Sequence, residues 1–134
     1  IRTNHGYNRT RRMNEGKPAA QGLRRIWHAV FYSLAGLRHA VCHEAAFRQE
    51  ALLAVILIPL ALLSWASALG KAVMIAAVML VLIVELLNSA VEAAIDRISL
   101  ERHALAKIAK DAGSAAVLLS LVNLAVVWAL ILFA

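Results

Sequence analysis

Charged residues are absent from three long stretches of the chain. Residues 51–69 (ALLAVILIPLALLSWASAL) hold 19 uncharged positions, and residues 112–134 (AGSAAVLLSLVNLAVVWALILFA) hold 23. Between them, residues 72–94 begin with 13 uncharged positions and then admit Glu85, Asn88 and Glu92. At about 1.5 Å per residue, each stretch is long enough as a helix to cross a hydrocarbon layer of about 30 Å. The pattern predicts three membrane spans over 51–69, 72–94 and 112–134. Pro59 is a candidate kink in the first, and Gly70-Lys71 form a short turn before the second. The polar, helix-prone segment 96–111 connects the second span to the third.

A different periodicity precedes the first span. Leu23, Ile26, Trp27, Val30, Phe31, Leu34, Leu37 and Val41 recur at helical spacing, while Arg24, Arg25, His28, Arg38 and His39 fall largely off that stripe. This predicts an amphipathic surface helix over about 19–48, its cations toward anionic headgroups. The expected fold is therefore all-α and membrane-integral, with three spans and an N-terminal surface helix, forming one domain over 19–134. Residues 1–18 show no periodicity and are expected to be a disordered basic tail. No apolar core follows Ile1, so no signal peptide is expected. Met13 is a candidate natural start, which peptides from residues 1–12 in the native protein would exclude.

Composition agrees with the pattern. The 134 residues are 62% hydrophobic and 16% charged, too apolar for an ordinary water-soluble domain of this length. Cys42 is the single cysteine, which excludes an internal disulfide and a paired-cysteine zinc site. Net charge is +6, and eight of the basic residues lie at or before Arg38, against one acid, Glu15. In isolation that would suggest a nucleic-acid arm. Beside long apolar spans the positive-inside rule is the simpler account, so no nucleic-acid partner is expected and the N-terminus is placed in the cytoplasm. Arg97, Arg102, Lys107 and Lys110 in the 96–111 loop fit the same orientation.

The candidate chemistry lies at the inner end of the second span. At about 100° per residue, Glu85, Asn88, Glu92 and Asp96 share one helix face about 80° wide, with Ser89 at its border. Carboxylates at the edge of hydrocarbon are costly and are functional candidates. Three uses compete: ion pairing with Arg48, Arg97 or Lys110; a proton or ion relay, as in a small proton-coupled transporter subunit; and binding of Mg²⁺ with a phosphate-bearing substrate, since hard oxygen ligands suit that ion. Glu44 and Arg48, four apart before the first span, and Lys110 and Asp111, expected at a helix N-terminus opening the third, converge on the same depth. A relay would need polar groups across the whole bilayer. The outer halves offer Ser64, Ser67, Lys71 and Asn123. Acids with a lysine at one interface fit metal–phosphate chemistry better. No G-x-x-x-x-G-K-[ST] phosphate loop occurs. His39 and His43 have the spacing of a helical metal pair, but Glu44 is the only carboxylate close to them in sequence, and they read as interfacial histidines.

Three motifs carry a resemblance. E-x-x-N-S-A-x-E-x-x-x-D at 85–96, E-A-A-F-R-Q-E at 44–50 and A-K-D-x-G-S-A-A-V-L at 109–118 resemble, in order, the bacterial integral-membrane diacylglycerol kinases. The likeness covers nearly everything after residue 22. It implies a small three-span enzyme of the bacterial inner membrane, working as a homotrimer and transferring the γ-phosphate of ATP to a lipid hydroxyl. By matching positions, the resemblance makes Glu85 the general base, and Glu44 and Glu92 the Mg²⁺ ligands. Lys110 and Asp111 would engage the nucleotide, with Arg25, Tyr32, Glu101 and His103 as further contacts. Asn88 and Asp96 would support the site, and Arg48 and Ser114 would lie near the lipid headgroup. Ala35 stands where diacylglycerol kinases tend to have lysine, and His43 where asparagine is usual. The loop LERHALAKIAKD is as similar to the family's undecaprenol kinases, whereas EAAFRQE and DAGSAAV favour diacylglycerol as the lipid.

Overall fold

The computed structural model describes residues 18–98 and 103–134, and the basic tail lies outside them apart from Pro18. Four helices account for almost all of these residues: α1 Pro18–His43, α2 Ala45–Leu63, α3 Ala68–Ile98 and α4 Ala104–Phe133. The chain divides into two units, Ile1–His39 and Ala40–Ala134.

In the first unit, α1 begins at Pro18, where a fixed φ and a missing N–H cost a helix nothing. Its apolar stripe is laid out as the periodicity predicts. Leu23, Ile26, Trp27, Val30, Phe31, Leu34 and Leu37 are all exposed on this helix. Trp27 and Phe31, one turn apart, meet edge to face at 5.3 Å.

The second unit takes in the last turn of α1. The helix stops at His43 because Glu44 turns to extended geometry, φ −104° and ψ 106°. Arg48 fixes this break, its Nη1 donating to the carbonyls of Val41 and Cys42 at 3.1 Å each. Those carbonyls would otherwise be orphaned at a helix end. The amphipathic helix is therefore shorter than the expected 19–48. The segment AAFRQE belongs instead to α2, which continues through Pro59.

The expected turn at Gly70-Lys71 is also displaced. The chain turns at Ser64–Ser67, because two serines supply what a helix end and a helix start require. The Ser64 hydroxyl donates to the Ala61 carbonyl at 2.7 Å, closing α2. Ser67 Oγ accepts from the Gly70 amide at 3.0 Å, the geometry of an N-cap for α3. Gly70 and Lys71 lie inside α3. Ser67→Ala is expected to lower stability by about 1 kcal/mol, read as a lower thermal unfolding midpoint in detergent, with Ser67→Asp restoring it.

α3 is the central element, packed against α2 on one side and α4 on the other. Ala54 of α2, Ala77, Val78 and Val81 of α3 and Leu124 of α4 form the core, backed by Leu57, Ile58, Leu121, Val127 and Trp128. Alanines at the contacts let the helices approach closely. Met74 is fully buried, and its carbonyl accepts from Trp128 Nε1 at 3.2 Å, tying α4 to α3. α2, α3 and α4 are each long and apolar enough to cross a membrane, yet only 17, 28 and 11% of their most apolar windows is buried. Most of their apolar surface faces outward, as in a membrane protein and unlike a water-soluble bundle.

Candidate active site

The site is built around Glu85, halfway along α3. It is the only buried acid among the described residues, at 6% exposure. The 3.6-residue repeat carries Asn88, Glu92 and Asp96 along the same face toward the polar end of the helix. Packing brings α2 to this face. Glu44 and Glu92 lie close enough to Glu85 for their like charges to act on it, and Glu85 acts in the same way on Glu50. Four carboxylates, Glu44 at the break before α2, Glu50 of α2, and Glu85 and Glu92 of α3, thus share one region.

The polar atoms here are incompletely matched. Asn88 Nδ2 donates to Glu92 Oε1 at 3.3 Å. Asn88 Oδ1 and Glu50 Oε2 are buried without a hydrogen-bond partner. Gly113 of α4 packs directly on Asn88, so that a Cβ at position 113 would overlap the Asn88 Oδ1 atom. The missing side chain of Gly113 is what admits the Asn88 amide between α3 and α4.

Cations enter from α4. Lys110 Nζ donates to Asp96 Oδ1 at 2.8 Å, joining the polar ends of α3 and α4, and it lies within electrostatic reach of Glu92. Lys107 pairs with Asp111 one turn along the same helix, both exposed. The structure thus realises the expected ion pairing of the carboxylate face with Lys110, at Asp96, and adds a pair between Asp111 and Lys107.

Two expected placements change. Lys110 and Asp111 do not stand at a helix N-terminus: α4 begins at Ala104, a full turn and more before them. The N-cap is His103, whose Nδ1 accepts from the Leu105 amide at 3.1 Å. Arg48 spends one guanidinium nitrogen on the α1 carbonyls, so its described contact is structural. Ser114 is exposed on α4 beside Gly113. Arg25 and Tyr32 lie exposed on α1 in the first unit, along a polar stripe with Gln21, Arg24 and His28. Glu101 lies outside the described residues.

Glu50 was absent from the residues singled out by sequence. It shares the inward face of α2 with Phe47, Ala54 and Ala61, all buried. That spacing is the signal for it, and it emerges when AAFRQE is read as the first turns of α2.

The donor set suits a hard cation held in part by substrate. Among the described residues no group of three or more His, Cys, Asp or Glu side chains is arranged to hold a metal alone. Mg²⁺ rarely uses such a cage. It takes one or two carboxylates and completes its shell with water and phosphate oxygens. Glu44 and Glu92, like-charged and both near Glu85, are oxygen donors of that kind.

Comparison with known proteins bears on this geometry. Residues 31–132 match the family described as prokaryotic diacylglycerol kinase. A diacylglycerol kinase of Pseudomonas aeruginosa is 58% identical over 111 residues, covering 83% of this chain and 90% of that protein. The diacylglycerol kinase of Haemophilus influenzae is 47% identical over 112 residues, 84% of this chain and 95% of the relative. That of Escherichia coli K12 is 45% identical over 112 residues, 84% of this chain and 92% of the relative.

Proposed function

The chain belongs to the prokaryotic diacylglycerol kinases, a family of membrane lipid kinases, and from that premise we propose that it transfers the γ-phosphate of ATP directly to diacylglycerol. The observation that carries this reading is the buried Glu85 carboxylate, with Glu44, Glu50 and Glu92 in electrostatic reach and Lys110 near Glu92.

The free hydroxyl of diacylglycerol attacks the γ-phosphorus. The bond from that phosphorus to the β,γ-bridging oxygen breaks, and ADP leaves. The hydroxyl proton passes to the Glu85 carboxylate, and the product is phosphatidic acid. A base placed at the nucleophile contributes in the transition state, where the proton becomes acidic. Lys110 provides a positive charge for the phosphates, and Asp96 holds that ammonium in place. Asn88 orients Glu92 through its amide. Glu44 and Glu92 would hold Mg²⁺, which when bound neutralises charge on the ATP phosphates. No phosphoenzyme is required. The protein would lie in the bacterial inner membrane with its N-terminus cytoplasmic, where ATP is available, as a homotrimer.

Radiolabelled γ-phosphate transfer in mixed micelles tests this, with diacylglycerol and undecaprenol offered separately. Labelling of diacylglycerol is expected, falling about a hundredfold or more when Mg²⁺ is chelated and returning on its addition. Labelling of undecaprenol alone would overturn the lipid assignment and keep the chemistry. Labelling of neither by folded protein would overturn the kinase reading.

A further inference from the structure

The proposed site is short of positive charge. Glu44, Glu50, Glu85, Glu92 and Asp96 gather there, and Lys110 is the cation that the described contacts bring to them. A triphosphate keeps a net negative charge with one Mg²⁺ bound, so its phosphates meet repulsion wherever no further cation stands. Lys107 is placed to supply one. At about 100° per residue it lies about 60° round α4 from Lys110, and at about 1.5 Å per residue it lies about 4.5 Å nearer the start of the helix. That start is the polar end of α4, away from the uncharged run 112–134.

Lys107 adds little to the fold. Its pair with Asp111 is exposed, the two side chains at 77 and 64%, and such pairs contribute little to stability. A cation four residues ahead of an acid is the weaker order on a helix. Positive charge near a helix start also opposes the macrodipole, and α4 has no acid in its first turn to offset it.

We infer that Lys107 is a substrate-binding residue, its ammonium contacting the α- or β-phosphate of the nucleotide and giving up Asp111 to do so. The γ-phosphorus must meet the lipid hydroxyl at Glu85, deeper in the bundle, with Lys110 one turn further in than Lys107. The remaining phosphates then trail outward along the start of α4, past Lys107. A lysine suits that position, as a compact charge with three donors on a flexible four-carbon stem. The exchange costs little, because the Asp111 carboxylate it releases is already exposed to water. Phosphate carries more charge than a carboxylate and makes the stronger contact. The inference rests on the reading that ATP is the phosphate donor. It divides the two lysines by role. Lys110 acts beside the reacting phosphorus, and Lys107 holds phosphates that stay with ADP. A contact made alike before and during transfer lowers KM and leaves kcat to other groups.

The test uses the full chain in mixed micelles and compares the wild type with Lys107→Ala and Lys107→Arg. Transfer kinetics are measured against ATP and against diacylglycerol, and ADP binding with Mg²⁺ is measured directly. Lys107→Ala is expected to raise the KM for ATP and the Kd for ADP together, each about tenfold, the scale of one charge-assisted hydrogen bond. The KM for diacylglycerol and the thermal unfolding midpoint are expected to hold. Lys107→Arg, which keeps the charge, is expected to stay within about threefold of the wild type. A Kd for ADP that does not move in Lys107→Ala, or a fall in kcat or in the midpoint in place of the rise in KM, would overturn the contact. The underlying reading fails separately. An active kinase whose ADP affinity is indifferent to Lys107 overturns this contact alone. A wild type that binds ADP through Lys107 and phosphorylates no diacylglycerol keeps the contact and overturns the lipid kinase. A folded wild type that binds no ADP and transfers no phosphate overturns both.

Discussion

Glu85→Gln is expected to abolish lipid phosphorylation and to leave the protein folded. The amide has the shape of the carboxylate and cannot take a proton from the lipid hydroxyl. Loss of a positioned base costs about 10²–10⁴-fold in rate. The stability effect runs the other way. Glu85 is buried, and Glu44 and Glu92 add like charge to its surroundings. Removing one negative charge from such a cluster relieves repulsion, so the thermal midpoint is expected to hold or rise. A residue kept for the fold would show the opposite pattern, with the midpoint and the rate falling together. Transfer rate and thermal unfolding of the purified variant in one detergent decide between them. An unchanged rate would remove Glu85 from the chemistry.

The stripe that includes Glu85 was legible because helical periodicity is a local property. Glu85, Asn88, Glu92 and Asp96 fall on one face of α3 as a count of 100° per residue requires. The three membrane helices were legible for the same kind of reason, since length and hydropathy are read along the chain. The errors arose where a few hydrogen bonds outweigh hydropathy. Ser64 and Ser67 end one helix and begin the next inside a run that reads as continuous hydrocarbon. Arg48 turns back seven residues to close α1, moving the boundary from 48 to His43. Contacts between helices were legible only as alternatives, with Arg48, Arg97 and Lys110 offered alike to the carboxylate face, of which Lys110 is the one that pairs among the described residues. Lys110 meets Asp96 across 14 residues of chain, and Glu50 nears Glu85 only because α2 packs on α3. Nothing in either local pattern specifies those pairings.

Gly113→Ala is expected to change the sign of its stability effect according to what occupies position 88. A Cβ on Gly113 would meet only Asn88, overlapping its Oδ1 and approaching its Cγ and Cβ. The overlapped atom is the end of a rotatable side chain, so the amide can swing away. Swinging away breaks its hydrogen bond to Glu92, worth about 1 kcal/mol, and releases Glu92 from its orientation. Overpacking adds strain, typically about 1–3 kcal/mol. Against this, alanine is the better helix former by about 1 kcal/mol in an interior turn, and Gly113 lies inside α4. With Asn88 present the collision outweighs propensity, so Gly113→Ala lowers the unfolding midpoint and slows phosphate transfer. With Asn88→Ala in the background the collision is gone, propensity alone remains, and the same substitution raises the midpoint. A double-mutant cycle in thermal unfolding measures this coupling. If Gly113→Ala destabilised both backgrounds equally, the close approach of the α3 and α4 backbones, and not the Asn88 amide, would be what position 113 protects.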